Sequence, residues 1–168
     1  MTVVVEPHNP RWAEMFAAES QRLAQILGPN AAAIHHIGST AIPGVYAKPT
    51  IDILIEVKDL NELDAHNPDM VALGYQAMGE YGIPKRRFYR KNDPAGARTH
   101  HIHAFLTGSP HLKRHLAFRD YLLAHPESAR QYSDLKKKMA DKYPESIERY
   151  ITGKDAFITD IDKKAAAI

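Results

Sequence analysis

The chain has 168 residues, of which 44% are hydrophobic and 25% charged, the composition of a soluble globular domain rather than a disordered, collagen-like or coiled-coil chain. It contains no cysteine, which excludes disulfide frameworks, cysteine-ligated metal centres and cysteine nucleophiles. The formal net charge is +2, but it divides into −6 for residues 1–84 and +8 for residues 85–168. The basic second half predicts either solvated helix faces or a surface that attracts phosphate groups.

The predicted elements run from one helix through a set of strands to a helical second half. After a short strand at residues 3–5, Asn9 and Pro10 begin a helix that ends at Gly28. The other predicted strands are residues 31–37, 51–57, about 75–79, about 86–91 and 99–106, and the other predicted helices are residues 59–66, 68–73, 111–124, 127–142 and 154–167. This order predicts one α+β domain, residues 1–168, with a mixed sheet flanked by helices and a helical C-terminal half.

The sequence carries no membrane or targeting signal. Its apolar runs are too short to cross a bilayer, and its first residues lack the basic start and apolar core of a signal peptide. We therefore expect a cytoplasmic protein without a membrane partner. The sequence gives no indication of the oligomeric state.

Two neighbouring segments carry the strongest indication of chemistry. Gly38 and Ser39 form a small turn whose backbone N–H groups and hydroxyl are suited to holding a phosphate. Asp52 follows thirteen residues after Ser39 on a predicted strand, where a carboxylate is placed to hold a divalent metal against that phosphate. This layout resembles the nucleotidyltransferases of the DNA polymerase β type, which add a second Asp on the same strand and a third carboxylate on a later strand.

Five segments, in the same order along nearly the whole chain, resemble the GrpB family within that superfamily. They are residues 37–44 (IGSTAIPG), 48–53 (KPTIDI), 101–103 (HIH), 114–122 (RHLAFRDYL), and 132–136 (YSDLK) with Tyr150 and Lys154. The resemblance implies a nucleotidyltransferase-like fold. GrpB-like domains are also found fused to dephospho-coenzyme A kinase, which implies a small-molecule ligand of the nucleotide or coenzyme A type.

The sequence departs from the nucleotidyltransferase pattern at the metal ligands. Thr50 and Leu54 occupy the two positions where a second Asp would share the strand face of Asp52. A later strand offers His101 and His103 in place of a third carboxylate. Asp52, His101 and His103 therefore predict one divalent ion (magnesium, manganese or zinc), with Asp52 and His103 as the catalytic pair. Alternatively, the histidines contact a phosphate, act only as acid–base groups, or are structural.

Four basic residues complete the predicted phosphate-binding set with Gly38 and Ser39, and they are Lys48, Arg87, Arg119 and Lys154. Arg87 belongs to the basic run at residues 85–91, where Arg86, Phe88 and Arg90 share the opposite strand face. Such a run more often protects an edge strand than binds nucleic acid, so we expect no nucleic-acid partner. Arg119 lies on an apolar helix face and therefore needs a carboxylate or a bound phosphate. Residues 136–138, three lysines, predict a solvated helix face.

These observations predict a nucleotidyltransferase that acts on a nucleotide-like or coenzyme-A-like molecule. Two alternatives stay open. One is a non-catalytic nucleotide- or phosphate-binding module on a degraded nucleotidyltransferase fold, and the other is a metal-dependent hydrolase that uses Asp52, His101 and His103. Magnesium dependence favours the transferase, binding without turnover favours the module, and dependence on a transition metal favours the hydrolase.

Overall fold

One five-stranded mixed sheet and six helices make up the fold in the computed structural model, which describes residues 3–167. The strands are β1 (Ala31–Ile37), β2 (Ile51–Val57), β3 (Tyr75–Ala77), β4 (Arg87–Asn92) and β5 (Arg98–Leu106). The helices are α1 (Arg11–Leu27), α2 (Leu60–Ala65), α3 (Asn67–Ala72), α4 (Pro110–Ala124), α5 (Pro126–Lys142) and α6 (Ile147–Ala166). The predicted α+β class, mixed sheet and helical C-terminal half are confirmed.

The strand order in the sheet is β1-β2-β5-β4-β3. The central pair β2 and β5 is parallel, and every other neighbouring pair is antiparallel. Strand β2 is rich in isoleucine, and Ile51, Ile53 and Ile55 are almost completely buried. A strand of β-branched residues suits this central position because its side chains pack well on a pleated surface.

The chain forms two compact units, each assembled from separate segments. Among the described residues, unit 1 comprises residues 3–10, 38–49 and 114–167, and unit 2 comprises residues 11–37 and 50–113. The whole sheet therefore belongs to unit 2, together with α1, α2 and α3. The two last helices belong to unit 1. None of the helices formed by residues 3–167 is long and apolar enough to cross a membrane.

In unit 2, helix α1 packs against β1 and β2 with its apolar face. Trp12, Leu23 and Leu27 on that face are nearly inaccessible to solvent. Helix α2 is capped at its N-terminus by Asp59, whose carboxylate accepts hydrogen bonds from the backbone N–H groups of Asn61 and Glu62. Such an N-terminal cap satisfies backbone donors that have no partner within the helix.

In unit 1, helices α5 and α6 pack closely because a glycine lies at their contact. A Cβ atom at Gly153 would lie 2.2 Å from Sδ of Met139, so any larger residue would push the helices or the methionine aside. Tyr150, Met139 and Ala140 form one apolar cluster with Val3. A second cluster is built around Leu122, Tyr132 and Ile161, with Ile42, Val45 and Ala129.

The structure differs from the sequence-based prediction at four places. Residues 3–5 are not a strand, and only Glu6 forms a single antiparallel bridge, with Ala47. Helix α6 begins at Ile147, seven residues before the predicted start, because Ser146 caps it. The spacing that puts Arg119 on an apolar face of α4 also predicts Leu123 on that face, but Leu123 is 46% exposed and Leu122 is the buried leucine. Lys136 was expected on a solvated face, but its relative exposure is 3% because its side chain lies against the ring of Tyr132.

Candidate functional site

One face of the sheet in unit 2 brings together Asp52, His101 and His103. Asp52 of β2 lies beside His101 of β5, and Leu54 lies beside His103. Side chains alternate between the two faces along a strand, so residues two apart and their direct neighbours across the sheet share a face. The clustering of these three predicted residues therefore follows from the register of one parallel strand pair.

A single oxygen of Asp52 faces both imidazoles. Its Oδ1 lies 3.4 Å from Nδ1 of His101 and 3.9 Å from Nε2 of His103. Burial alone raises the pKa of the Asp52 carboxyl. Hydrogen bonds from the two histidines, together with their charge when protonated, outweigh burial and hold this pKa well below its ordinary value. Asp52 is therefore ionised at neutral pH.

The far side of each imidazole faces an arginine that the sequence reasoning did not select. Nη1 of Arg98 lies 2.9 Å from Nε2 of His101, and Nη1 of Arg86 lies 3.3 Å from Nδ1 of His103. Arg86 is 7% exposed and also donates hydrogen bonds to the backbone carbonyls of residues 80 and 81. The signal for Arg86 was present, because it shares its strand face with Phe88, whereas the neighbouring Arg87 points the other way.

Aromatic rings support the histidines on the side of β4. The ring of Phe88 lies 5.4 Å from the imidazole of His101 and 5.3 Å from that of His103, measured between centroids. Tyr81 stacks on Phe88 at 5.1 Å and remains 54% exposed. The φ angle of Tyr81 is +47°, in the left-handed region that a bulky side chain rarely adopts, and the Arg86 hydrogen bonds hold this loop in place.

The divalent metal ion predicted at these three residues stays a prediction, and two observations weigh against it. Within residues 3–167, no group of three or more histidine, aspartate or glutamate side chains is arranged to hold a metal ion. The hydrogen bonding agrees, because an ion beside Asp52 would need lone pairs on the imidazole nitrogens that face it. The imidazole protons would then lie on the nitrogens that face Arg98 and Arg86. Each imidazole N–H group would point at a guanidinium N–H group, and neither can accept a hydrogen bond.

Unit 1 brings together two of the predicted phosphate-binding lysines. The ammonium groups of Lys48 and Lys154 lie 5.5 and 4.4 Å from the ring centroid of Tyr150, whose relative exposure is 0%. Burial and the nearby Tyr132 raise the pKa of Tyr150 above its ordinary value. Lys136 adds a third ammonium group in unit 1, at 5.0 Å from the ring centroid of Tyr132.

The predicted turn at Gly38 and Ser39 forms in unit 1. Gly38 has φ +75° and ψ −175°, a conformation essentially restricted to glycine. A short 3₁₀ turn follows over Ser39–Ala41, in which the carbonyls of Gly38 and Ser39 accept N–H groups at 3.1 Å. Ser39 is half-buried in this turn. Its role as a phosphate ligand stays a prediction.

Two predicted phosphate ligands, Arg87 and Arg119, pair with carboxylates of the chain, and their contact with a phosphate stays a prediction. Nε and Nη2 of Arg87 lie 2.7 and 3.1 Å from the two carboxylate oxygens of Asp64. This bidentate pair lies on the sheet face opposite Asp52, because Arg87 is in register with Ala104. Arg119 donates to the carboxylate of the adjacent Asp120 at 2.9 Å. For Arg119 the need for an anion is thus met, at least in part, by a carboxylate of the chain itself.

Comparison with known proteins places the chain in a family. A crystal structure of the conserved protein GrpB from Enterococcus faecalis matches with a TM-score of 0.92 and 42% identity over 96% of both chains. UPF0157 protein YqkA of Bacillus subtilis (strain 168) is 47% identical over 94% of this chain, which spans only 46% of that protein. A more distant relative is a dephospho-CoA kinase of Mycolicibacterium paratuberculosis, with 26% identity over 95% of this chain and 45% of the kinase. A family model described as GrpB protein matches residues 2–164, and the chain belongs to the GrpB family, as its motifs predicted.

Proposed function

We propose that this chain binds a phosphate-bearing small molecule of the nucleotide or coenzyme A type, and that Lys48 and Lys154 contact its phosphates. The observation that carries the proposal is the convergence of these two lysines on one buried ring, that of Tyr150. They lie 106 residues apart in the sequence, and both belong to segments that carry the family motifs. The fold therefore brings together two residues that the sequence analysis had predicted as phosphate ligands without knowledge of their positions in space.

The physics of the lysine cluster supports an anionic ligand. A buried tyrosine ring attracts ammonium groups to its face and so holds both side chains in fixed positions. Each of the two ammonium groups attracts negative charge, so an anionic ligand beside this ring would interact favourably with both. Lysine suits phosphate because it presents a compact charge with three donors.

A ligand of the coenzyme A type has support from a relative. The dephospho-CoA kinase matched here contains a region similar to almost the whole of this chain. That region is less than half of the kinase, so the kinase reaction belongs to that protein. For this chain the likeness favours coenzyme A and dephospho-coenzyme A as the first ligands to test, beside nucleoside triphosphates.

Nucleotidyl transfer is the second candidate, and the pairing of Asp52 with His103 and His101 favours it. An ionised carboxylate beside an imidazole orients the ring, and an oriented imidazole is what general acid–base catalysis requires. The metal-dependent hydrolase, which would use the same three residues, stays an alternative that dependence on a transition metal would favour. If transfer occurs, Asp52→Asn abolishes turnover.

The test is calorimetric titration with ATP, coenzyme A and dephospho-coenzyme A, each with magnesium and with EDTA. We expect at least one ligand to bind, and Lys154→Met and Lys48→Met to weaken it at least about tenfold, the loss of roughly one charge-assisted contact. Lys163→Met is the matched control, since Lys163 is an exposed lysine on the same helix α6 as Lys154. Absence of binding by the folded wild-type protein, or equal binding by Lys154→Met, contradicts the proposal.

A further inference from the structure

We propose that Arg98 and Arg86 are positioning residues that hold His101 and His103 as opposite neutral tautomers, each with its N–H group on the side of Asp52. The inference rests on distances within unit 2 and does not depend on the proposed function. It gives a physical reason why Asp52, His101 and His103, whose residue types suit a metal site, would disfavour a metal ion in the arrangement observed.

The first step concerns His101. A guanidinium group carries five N–H donors, has no acceptor and keeps its proton in proteins. The nitrogen that faces it at hydrogen-bond distance must therefore accept. At 2.9 Å from Nη1 of Arg98, Nε2 of His101 is that acceptor, so the proton of the neutral ring lies on Nδ1. Nδ1 is the nitrogen that faces Oδ1 of Asp52.

The second step assigns the opposite tautomer to His103. Here Nδ1 faces Nη1 of Arg86 at 3.3 Å, so the proton of the neutral ring lies on Nε2, on the side of Asp52. Arg86 is held in this orientation, because its Nε and Nη2 donate to the backbone carbonyls of Glu80 and Tyr81 at 3.1 and 2.7 Å. Two histidines on one strand are thus held in opposite tautomers by two arginines from different segments.

The consequence is a carboxylate that two N–H groups face, from nitrogens at 3.4 and 3.9 Å. A proton on the far nitrogen of either ring would direct an N–H group at a guanidinium, so each neutral ring keeps its proton on the side of Asp52. A metal ion at Asp52 would need the same proton to move, so the two arginines oppose metal binding by the same mechanism. The arginines themselves act only through the histidines.

The test is ¹⁵N NMR of the histidine side chains in the full chain. We expect the protonated, pyrrole-type signal at Nδ1 of His101 and at Nε2 of His103, and the unprotonated, pyridine-type signal at the other two nitrogens. Arg98→Met removes one donor, so His101 shifts to a mixture of tautomers while His103 is unchanged. Arg98→Lys, which keeps a donor without an acceptor, restores the wild-type signal at least in part.

The control is Arg90→Met. Arg90 lies beside His101 across the sheet, but its Nε donates to Gln76 rather than to a histidine, so its loss leaves both tautomers unchanged. The proposal is overturned if both histidines show the same tautomer, or if His101 is unaltered in folded Arg98→Met. It is also overturned if one equivalent of zinc shifts the signals of both histidines together in the wild-type protein. Arg98 is only half-buried, so this variant is expected to fold even where Arg86→Met does not.

Discussion

Glu19 and Asp52 are carboxylates on opposite faces of the same sheet, and their surroundings differ. Glu19 of α1 faces one side, where it meets Tyr75, Lys91 and His100. Asp52 belongs to the other side. Strand β5 contributes to both clusters, because His100 points to Glu19 and the next residue, His101, points to Asp52.

The surroundings of Glu19 are those of a structural charge. Its relative exposure is 1%, the hydroxyl of Tyr75 donates to it at 2.5 Å, and Arg22 pairs with it at 3.1 Å. Lys91 forms a further ion pair with it. Burial raises the pKa of Glu19, but the hydrogen bonds from Lys91 and Tyr75 outweigh burial and keep this pKa below its ordinary value. The carboxylate is thus paired on all sides and sealed from water.

Asp52 shows a pKa shift in the same direction with a different access to solvent. Its side chain is 30% exposed, and the groups that face it are two imidazoles instead of the ammonium and guanidinium groups that pair with Glu19. The direction of a pKa shift therefore does not distinguish a functional carboxylate from a structural one. Exposure and the chemistry of the partner make that distinction.

The largest effect is expected from breaking the structural cluster. Glu19→Leu leaves Lys91 without its carboxylate partner, and removal of one member of a buried ion pair costs about 3–5 kcal/mol of unfolding free energy. Urea denaturation measures the loss. Because replacement of a whole buried pair by apolar residues is often nearly neutral, Glu19→Leu with Lys91→Met should regain much of it. Glu14→Leu, at an exposed carboxylate of the same helix, is the control, and an equal loss there would contradict the comparison.

A smaller, pH-dependent effect is expected at the other face. Asp52→Asn removes the negative charge of the carboxylate that faces the two histidines. We expect it to cost about 1.5–3 kcal/mol of unfolding free energy at pH 7. The folded pKa of Asp52 lies below the unfolded value of about 3.9, so its stabilisation is complete above that pH and is lost as the pH falls below it. Denaturation at pH 7, 5, 4 and 3 should show the two proteins converging in acid. A constant difference across this range would refute the assignment.

The smallest effect is expected when the ion pair between Arg87 and Asp64 is broken. Arg87→Met breaks the pair with Asp64, whose side chains are 20% and 38% exposed, so we expect a loss of about 1 kcal/mol or less. Ligand titration of the same variant should give the wild-type affinity, because the guanidinium of Arg87 is already held by both carboxylate oxygens of Asp64. Weaker ligand binding by a well-folded Arg87→Met protein would restore Arg87 to the phosphate-binding set.

The accuracy of the sequence-based prediction depended on how local each feature is. The pattern at residues 51–57 predicted β2 with its observed bounds, since a run of β-branched residues indicates a buried strand whatever surrounds it. Residues 3–5 show a similar local pattern but form no strand, because the neighbouring chain offers only the single bridge between Glu6 and Ala47. A strand needs a partner, and one segment of sequence cannot show whether it has one.

The candidate site shows the same limit at the level of single residues. Asp52, His101 and His103 were identified from motif and alternation, and the register of β2 and β5 brings them together. The strand face of Arg86 was readable from the sequence, but its contact and that of Arg98 were missed, because a sequence does not state which nitrogen of which histidine an arginine will face. That depends on the course of the 79–86 loop and the reach of a long side chain.

The sequence by itself determined the class of fold, the order of helices and strands, the family, and the residue types available for chemistry. Each of these follows from periodicity, composition and motif, which are properties of neighbouring residues. Only the tertiary structure decided that Arg87 pairs with Asp64, that Lys48 and Lys154 meet at Tyr150, and that two arginines occupy the far sides of the histidines. A shift of one residue in register exchanges the faces of a strand, so partners across the sheet and between helices are determined by packing of the whole chain.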